Sequence, residues 1–251
     1  MLKVLEAVVA RLSCYILEKF RSGEGTGIVA RRGDDVTREI DLAAEELAYR
    51  LLREHFSEGG VMYAEERGVY RWGGERYLFA LDPLDGSLNY AAGIPMFSVS
   101  LAAGTYSTGT LGDLQYAAVS VLPAGDIYTA GPGAGALKNG VPVRPAGRGG
   151  IVFVAIDSNA HDRVFRALRR LGLKGRSLGS SAAELVLTAC GAARGFVDLR
   201  GRLRAVDVAG ALTFGKYIRG FKYVIRGGDS LDSRISLIAG DEEFVNAALA
   251  D

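Results

Sequence analysis

Residues Leu81–Asn89 read LDPLDGSLN, and this stretch organises the rest of the chain. It follows Arg76–Ala80 (RYLFA), an apolar, aromatic-rich run that predicts a buried strand. Two carboxylates, Asp82 and Asp85, then arrive three residues apart, with Pro83 between them holding Asp82 out of helical geometry. Gly86 and Ser87 precede a segment that can start a helix. Acids at a strand end beside a helix start can hold a divalent cation and a phosphate together. Read alone, the same residues equally make an Asp-Pro turn followed by an Asp/Ser cap.

Upstream, Leu2, Leu5, Val8, Val9, Leu12, Ile16 and Phe20 fall at helical spacing, so residues ~2–21 predict an amphipathic helix, ended by Gly23, Gly25 and Gly27. Ala30–Asp35 (ARRGDD) is polar and glycine-punctuated and reads as a mobile loop, with Asp34 and Asp35 as solvated loop acids. A second helix is expected from near Thr37, which could cap it without a capping box, since Ile40 stands three residues on. Val61–Ala64 is a short strand candidate running into Glu65 and Glu66. Downstream, Phe97–Ser107, Gly112–Val121, Asp126–Ala130 and Gly135–Leu137 predict successive antiparallel strands, with Asn139-Gly140 as a tight hairpin signal.

Ala146–Gly150 (AGRGG) reads as a linker. Beyond it strands and helices alternate: strand 151–156, helix ~161–171, strand 174–178, helix ~181–191, strand 194–199, helix ~206–218, strands 222–225 and 234–239, and a helix from ~241. Two domains follow. Residues 1–146 form an α+β part with two N-terminal helices and a long antiparallel sheet, and residues 147–251 form an α/β part. The 251 residues suffice for such an arrangement with a real core.

A net charge of +1 gives no electrostatic case for a nucleic-acid polymer or an anionic membrane. No apolar run reaches membrane-spanning length, and Met-Leu-Lys-Val-Leu-Glu has no signal-peptide pattern, so a cytoplasmic location is expected. Cys14 and Cys190 match no metal spacing and read as buried free thiols, a bridge being plausible only in a hyperthermophile. Four Asn, one Gln and a large excess of Arg over Lys suit a hot environment.

Two more acidic sites complete the pattern. Glu65-Glu66 ends a buried strand, where carboxylates need neutralising, although such a pair is commonly a solvated turn. Asp207 opens the small-residue helix start RAVDVAGA (Arg204–Ala211), where it could equally be a cap. In order, strand–EE, strand–DPLDGS and VDVAGA resemble the inositol monophosphatase family, which also holds archaeal fructose-1,6-bisphosphatases and lithium-sensitive nucleotide and sulfur-pathway phosphatases. DDVTREID, AEE, DPLDGSLNY, GIPMFSVSLA, KNGVPV, RSLGSSAAE and RAVDVAGA each resemble a family segment, so the match spans nearly the whole chain. The absence of the usual Trp before Asp207, together with the shorter chain, looks most like the archaeal bifunctional enzymes acting on inositol-1-phosphate and fructose-1,6-bisphosphate.

The resemblance implies a layered αβαβα sandwich of the sugar phosphatase type. It implies a Mg²⁺-dependent phosphomonoesterase, with Mn²⁺ a possible substitute and two to three ions per site. Glu65, Asp82 and the Leu84 carbonyl would hold one ion, and Asp82, Asp85 and Asp207 a second. Glu65 with an ion would activate water, Ser87 (Thr in most of the family) would orient it, and Asp41 would stand behind Ser87. Gly86 and Ser87 N–H groups would receive phosphate. Asp85, Arg176, Ser181, Asp198 and Arg200 would contact a small phosphorylated sugar or polyol, the two arginines gripping a second phosphate. A homodimer is implied, with a tetramer also compatible; Ile94–Phe97 could lie at a subunit contact or in the core. A 3′(2′),5′-bisphosphate nucleotidase or NADP phosphatase of the same fold is the alternative, and a catalytically dead metal- or phosphate-binding regulator a third. His55 and His161 fit no nucleophile or metal pattern.

Overall fold

The computed structural model describes residues 1–32, 35–145, 149–155 and 162–250. The elements in chain order are α1 (Leu2–Ser22), β1 (Ile28–Arg32), β2 (Asp35–Arg38), α2 (Glu39–His55), β3 (Gly59–Ala64), β4 (Gly68–Gly73), β5 (Tyr77–Asp85), α3 (Ser87–Ala91), β6 (Phe97–Thr105), β7 (Leu114–Leu122), β8 (Asp126–Gly131), β9 (Gly135–Lys138) and β10 (Val141–Pro142). They continue with β11 (Ile151–Val154), α4 (Asp162–Arg170), β12 (Lys174–Arg176), α5 (Ser181–Ala189), β13 (Gly195–Arg204), α6 (Ala205–Gly215), β14 (Phe221–Arg226), β15 (Arg234–Asp241) and α7 (Glu242–Leu249).

Eight strands form one sheet in the order β10-β9-β8-β7-β6-β5-β3-β4, and five form a second in the order β12-β11-β13-β15-β14. The first sheet is antiparallel except where β3 runs parallel to β5. The second is mixed: β12, β11 and β13 are parallel, while β15 pairs antiparallel with β13 and β14.

The layers follow from which faces are apolar. Leu5, Val8, Val9, Leu12 and Ile16 recur at helical spacing on α1 and are buried with Ile40, Ala44, Ala48 and Leu52 of α2 against one face of the large sheet. Helices α5 and α6 are apolar nearly all round and lie between the two sheets. Helices α4 and α7 cover the outer face of the small sheet through Val164, Leu168, Phe244 and Val245. The expected αβαβα sandwich is therefore the observed one. Among the described residues, no helix is long and apolar enough to cross a membrane.

Several elements differ from the sequence expectation. At both ends of the expected loop, β1 and β2 pair antiparallel, with Ala30, Arg31 and Arg32 set against Thr37, Val36 and Asp35. That pairing keeps Thr37 extended, so α2 starts at Glu39 and Thr37 does not cap it. Thr37 instead donates its hydroxyl to Glu66 Oε2 at 2.5 Å. Asp34, His161 and most of the expected linker lie outside the described residues, as does the side chain of Asp35. Edge strand β4 buries little beyond Trp72, so it carries too weak an alternation to be read. The expected strand 76–80 continues to Asp85, because β6 pairs along its full length. Likewise β13 continues past residue 199 to Arg204, following β15 through an irregularity. Both cysteines are free thiols, but Cys14 is exposed and Cys190 half-buried, where burial pushes the thiol up to about 11. Phe97 belongs to the core, whereas Ile94 is exposed.

Helix α6 approaches the large sheet closely at Gly210, where an added Cβ would sit 2.6 Å from Ser100 Oγ and 3.1 Å from Val119 Cγ2. Gly210→Val should destabilise the fold by about 1–3 kcal/mol through overpacking, read as a lower urea midpoint at unchanged slope.

Candidate active site

The site is assembled at the C-terminal ends of β3 and β5 and the start of α6. Parallel pairing sets Ala64 against Leu81, and the Glu65 N–H donates to the Leu81 carbonyl at 3.2 Å. Glu65 therefore leaves its strand beside Asp82. The turn after it is held by Glu45, a fully buried residue of α2. Its carboxylate accepts from the N–H groups of Glu66 (2.9 Å) and Arg67 (3.1 Å) and from the Tyr70 hydroxyl (2.8 Å).

On β5 the register slips. Asp82 pairs with Ser100 and Asp85 with Ser98, so three steps on β5 match two on β6. The extra residue makes a bulge, which accommodates Pro83 within the sheet and re-aims the two acids, since an unbroken strand would point residues 82 and 85 to opposite faces. Asp82 is buried and accepts the Leu84 N–H on Oδ1 at 3.0 Å; Leu84 is itself buried. Asp207 lies in the first turn of α6, and its Oδ2 accepts the Arg204 N–H at 3.0 Å. Glu65, Asp82 and Asp207 each offer a carboxylate oxygen, and these oxygens lie within 4.8 Å of one another.

Asp85 stands differently. Its carboxylate closes on the N-terminus of α5, with Oδ1 accepting the Ser181 N–H at 3.1 Å. Oδ2 accepts the Ala182 N–H (2.7 Å), the Ser180 hydroxyl (2.6 Å) and the Ser98 hydroxyl (3.0 Å). The acid thereby satisfies amide groups that a helix start leaves without partners. Gly86, with φ of 94°, then turns the chain. A Cβ there would lie 3.1 Å from the Gly179 carbonyl oxygen and 3.2 Å from that of Met96, so glycine is required. Half-buried Ser87 opens α3, a helix of only five residues, so its exposed N–H groups rather than a macrodipole would meet an anion. Asn89 bridges the two layers, donating to the carbonyls of Met96 and Leu178, both at 2.7 Å.

The remaining predicted residues lie on other elements. Asp41 is buried in the first turn of α2, its Oδ2 accepting the Arg38 N–H at 2.7 Å. Asp198 is fully buried on β13 and is clasped by Arg200, whose Nη2 lies 2.6 Å from Oδ2. Arg176 is exposed at the end of β12 and donates to the Gly175 carbonyl at 2.7 Å. His55 is exposed at the end of α2.

Residues beyond the predicted set also shape the site. Arg204 donates from Nη1 to the Glu65 carbonyl (2.5 Å) and from Nη2 to Glu65 Oε1 (3.1 Å). Ser98 and Ser180, whose hydroxyls both reach Asp85, bring their oxygens within 2.9 Å of each other. Glu184 reaches back from α5 to the Leu178 N–H. The serines of FSVSLAA were a legible signal, being polar residues in an otherwise apolar strand.

Burial and mutual repulsion push these acids up. Glu65 is held well above the usual carboxylate range by burial and then by the charge of Asp207, opposed by Arg204. Asp82 is held well above it by burial and then by Glu65 and Asp85. Burial also raises Asp85 against its hydrogen bonds, and raises Glu184 to about 7. Three hard oxygen donors at this spacing suit a divalent cation such as Mg²⁺, which would relieve the repulsion.

The family model described as the inositol monophosphatase family matches residues 1–213. An inositol-1-monophosphatase of Aeropyrum pernix is 36% identical over 183 residues, covering 70% of this chain and 67% of its own. A fructose-1,6-bisphosphatase/inositol-1-monophosphatase of Methanothermobacter thermautotrophicus is 30% identical over 238 residues, covering 86% and 83%. Among solved structures, a Pyrococcus horikoshii protein with similarities for inositol-1 monophosphatase superposes with a TM-score of 0.81 at 24% identity, covering 99% of this chain and 96% of its own. The chain belongs to the inositol monophosphatase family.

Acids with raised folded values bind protons that the unfolded chain has already released. Their contribution to stability is present at low pH and lost as pH rises through the folded values. In EDTA the melting temperature should therefore fall by roughly 5 °C or more between about pH 5 and 8, and saturating Mg²⁺ should abolish that decline. An EDTA profile that rises over this interval would contradict the electrostatic description.

Proposed function

We propose that this chain is a Mg²⁺-dependent phosphomonoesterase acting on small sugar or polyol phosphates, fructose-1,6-bisphosphate and inositol-1-phosphate among them. The observation that carries the reading is the convergence of Glu65, Asp82 and Asp207 within 4.8 Å from three separate segments, in a member of this family. The residues present fit the ion: hard carboxylate oxygens, partly buried, with too little positive charge of their own.

In the proposed reaction water attacks phosphorus, the ester P–O bond breaks, and the alcohol leaves with a proton. Ions held by Glu65, Asp82, the Leu84 carbonyl, Asp85 and Asp207 would supply positive charge against the phosphoryl and leaving-group oxygens. Glu65, its carboxyl raised by burial, is suited to take the proton of the attacking water. The Ser87 hydroxyl would orient that water, with Asp41 behind it. Ser in place of Thr keeps the hydroxyl and loses the methyl that restricts χ1. The Gly86 and Ser87 N–H groups would receive the phosphate. Asp85 can still ligate, because its Oδ1 accepts the Ser181 N–H and keeps a lone pair for an ion. Asp198, Arg200, Ser181 and Arg176 would line the substrate side, the two guanidinium groups suiting a second phosphate. A cytoplasmic homodimer using two to three Mg²⁺ ions per site completes the proposal.

Asp82→Asn should lower turnover at saturating Mg²⁺ by at least about 10²-fold while leaving the far-UV circular dichroism unchanged. Near-full activity of that variant would remove Asp82 from the site. Substrate choice is tested by kcat/KM for fructose-1,6-bisphosphate, inositol-1-phosphate and a bisphosphorylated nucleotide, with and without Mg²⁺; preference for the nucleotide would favour the nucleotidase alternative. Arg200→Ala should reduce kcat/KM for the bisphosphate at least ~10-fold more than for inositol-1-phosphate, and equal losses would count against a second-phosphate role.

A further inference from the structure

Arg204 ends β13, in the small sheet, and directly precedes α6. Its backbone N–H is bonded to Asp207 at 3.0 Å, while its guanidinium crosses to the other sheet and holds Glu65 by both the carbonyl (2.5 Å) and the carboxylate (3.1 Å). The pair is not a solvated surface bridge, since the Arg204 and Glu65 side chains are only 22% and 20% exposed. Arg204 also opposes the upward shift of Glu65 that burial and Asp207 cause.

We propose that Arg204 is a built-in cation of the cluster, one that neutralises Glu65 while no ion is bound and sets how tightly a divalent ion is taken. The inference rests on the Mg²⁺ reading above and deepens it. Glu65, Asp82 and Asp207 carry three negative charges when ionised, and Arg204 leaves a net of two, the charge of a single divalent ion.

Two effects of this side chain oppose each other. Its fork fixes the Glu65 carboxylate and so favours ion binding. Its charge repels the ion, which is a competition with metal for one acid. Fixing one glutamate side chain is worth at most roughly 10–30-fold in binding. A unit charge about 4 Å from a dication is worth roughly 30-fold even at the dielectric of water, and more in a part-buried site where salt screens weakly. Competition therefore wins. The guanidinium has space to give way, because Arg204 lines a cavity of ≈ 240 Å³ together with Tyr63, Glu65, Arg67, Val206 and Asp232.

The test is Mg²⁺ titration by calorimetry, and Mn²⁺ titration by electron paramagnetic resonance, at pH ~8, where proton competition is smallest. Arg204→Gln should bind both ions at least ~10-fold more tightly than the natural chain, and Arg204→Lys, which keeps the charge, should stay within ~3-fold. In EDTA, Arg204→Gln should melt below the natural chain, and saturating Mg²⁺ should shrink that deficit. Equal or weaker ion binding by Arg204→Gln, or a deficit independent of Mg²⁺, overturns the proposal and leaves Arg204 a tether between layers. If Arg204→Gln does not fold, Arg204→Lys decides alone: an affinity more than ~10-fold from the natural chain overturns it. Failure of the natural chain itself to bind Mg²⁺ or Mn²⁺ would instead defeat the functional reading, a result distinct from any difference between variants.

Discussion

Like-charge repulsion among Glu65, Asp82 and Asp207 is the constraint that the centre of this molecule answers to. Carboxylates this close, shielded from water, cannot all ionise without compensation. Protons, the Arg204 guanidinium and a divalent ion are the available compensations. The surrounding structure holds the acids together against that repulsion by tying each to a different rigid element: Glu65 to β3, Asp82 to the bulge of β5, and Asp207 to α6. An ion entering the cluster would convert that strain into binding energy.

The layers meet where the chemistry is. Asp85 and Asn89 project from the large sheet and its short helix to the start of α5, which lies between the sheets. A carboxylate receiving two backbone amides and two hydroxyls is both a helix anchor and a spacer. It fixes how far the start of α5 stands from the acids. Close helix-to-sheet packing at Gly210 serves the same end for Asp207, since any displacement of α6 carries that carboxylate with it.

Local patterning was sufficient for most elements because their burial is periodic. The spacing of Leu5, Val8, Val9, Leu12 and Ile16 names α1, and the apolar runs of β6 and β7 name central strands. Where the pattern was carried by pairing instead, the reading failed. The short β1 and β2 carry no apolar alternation, β4 is an edge strand, and β5 and β13 run on because a neighbouring strand continues beside them. Of the site, Glu65, Asp82 and Asp207 were legible as acids in improbable apolar settings. Glu45, Arg204 and Ser180 were not, because each matters only through a partner distant in sequence.

The sequence by itself determined the residue chemistry: two acids about a proline, a glycine that must turn, an acidic pair at a strand end, and an acid opening a small-residue helix. It also determined the family, since those signatures occur in one order. Only the tertiary structure decided which acids meet. The parallel pairing of β3 with β5 set Glu65 beside Asp82, the bulge freed Asp82 and Asp85 from opposite faces, and the descent of α6 between the sheets delivered Asp207. Only the fold sent Asp85 to α5 and Arg204 to Glu65. The physical reason is that charge interactions depend on distance through space, and distances of a few ångströms between residues separated by many positions are set by sheet register and helix packing rather than by spacing along the chain.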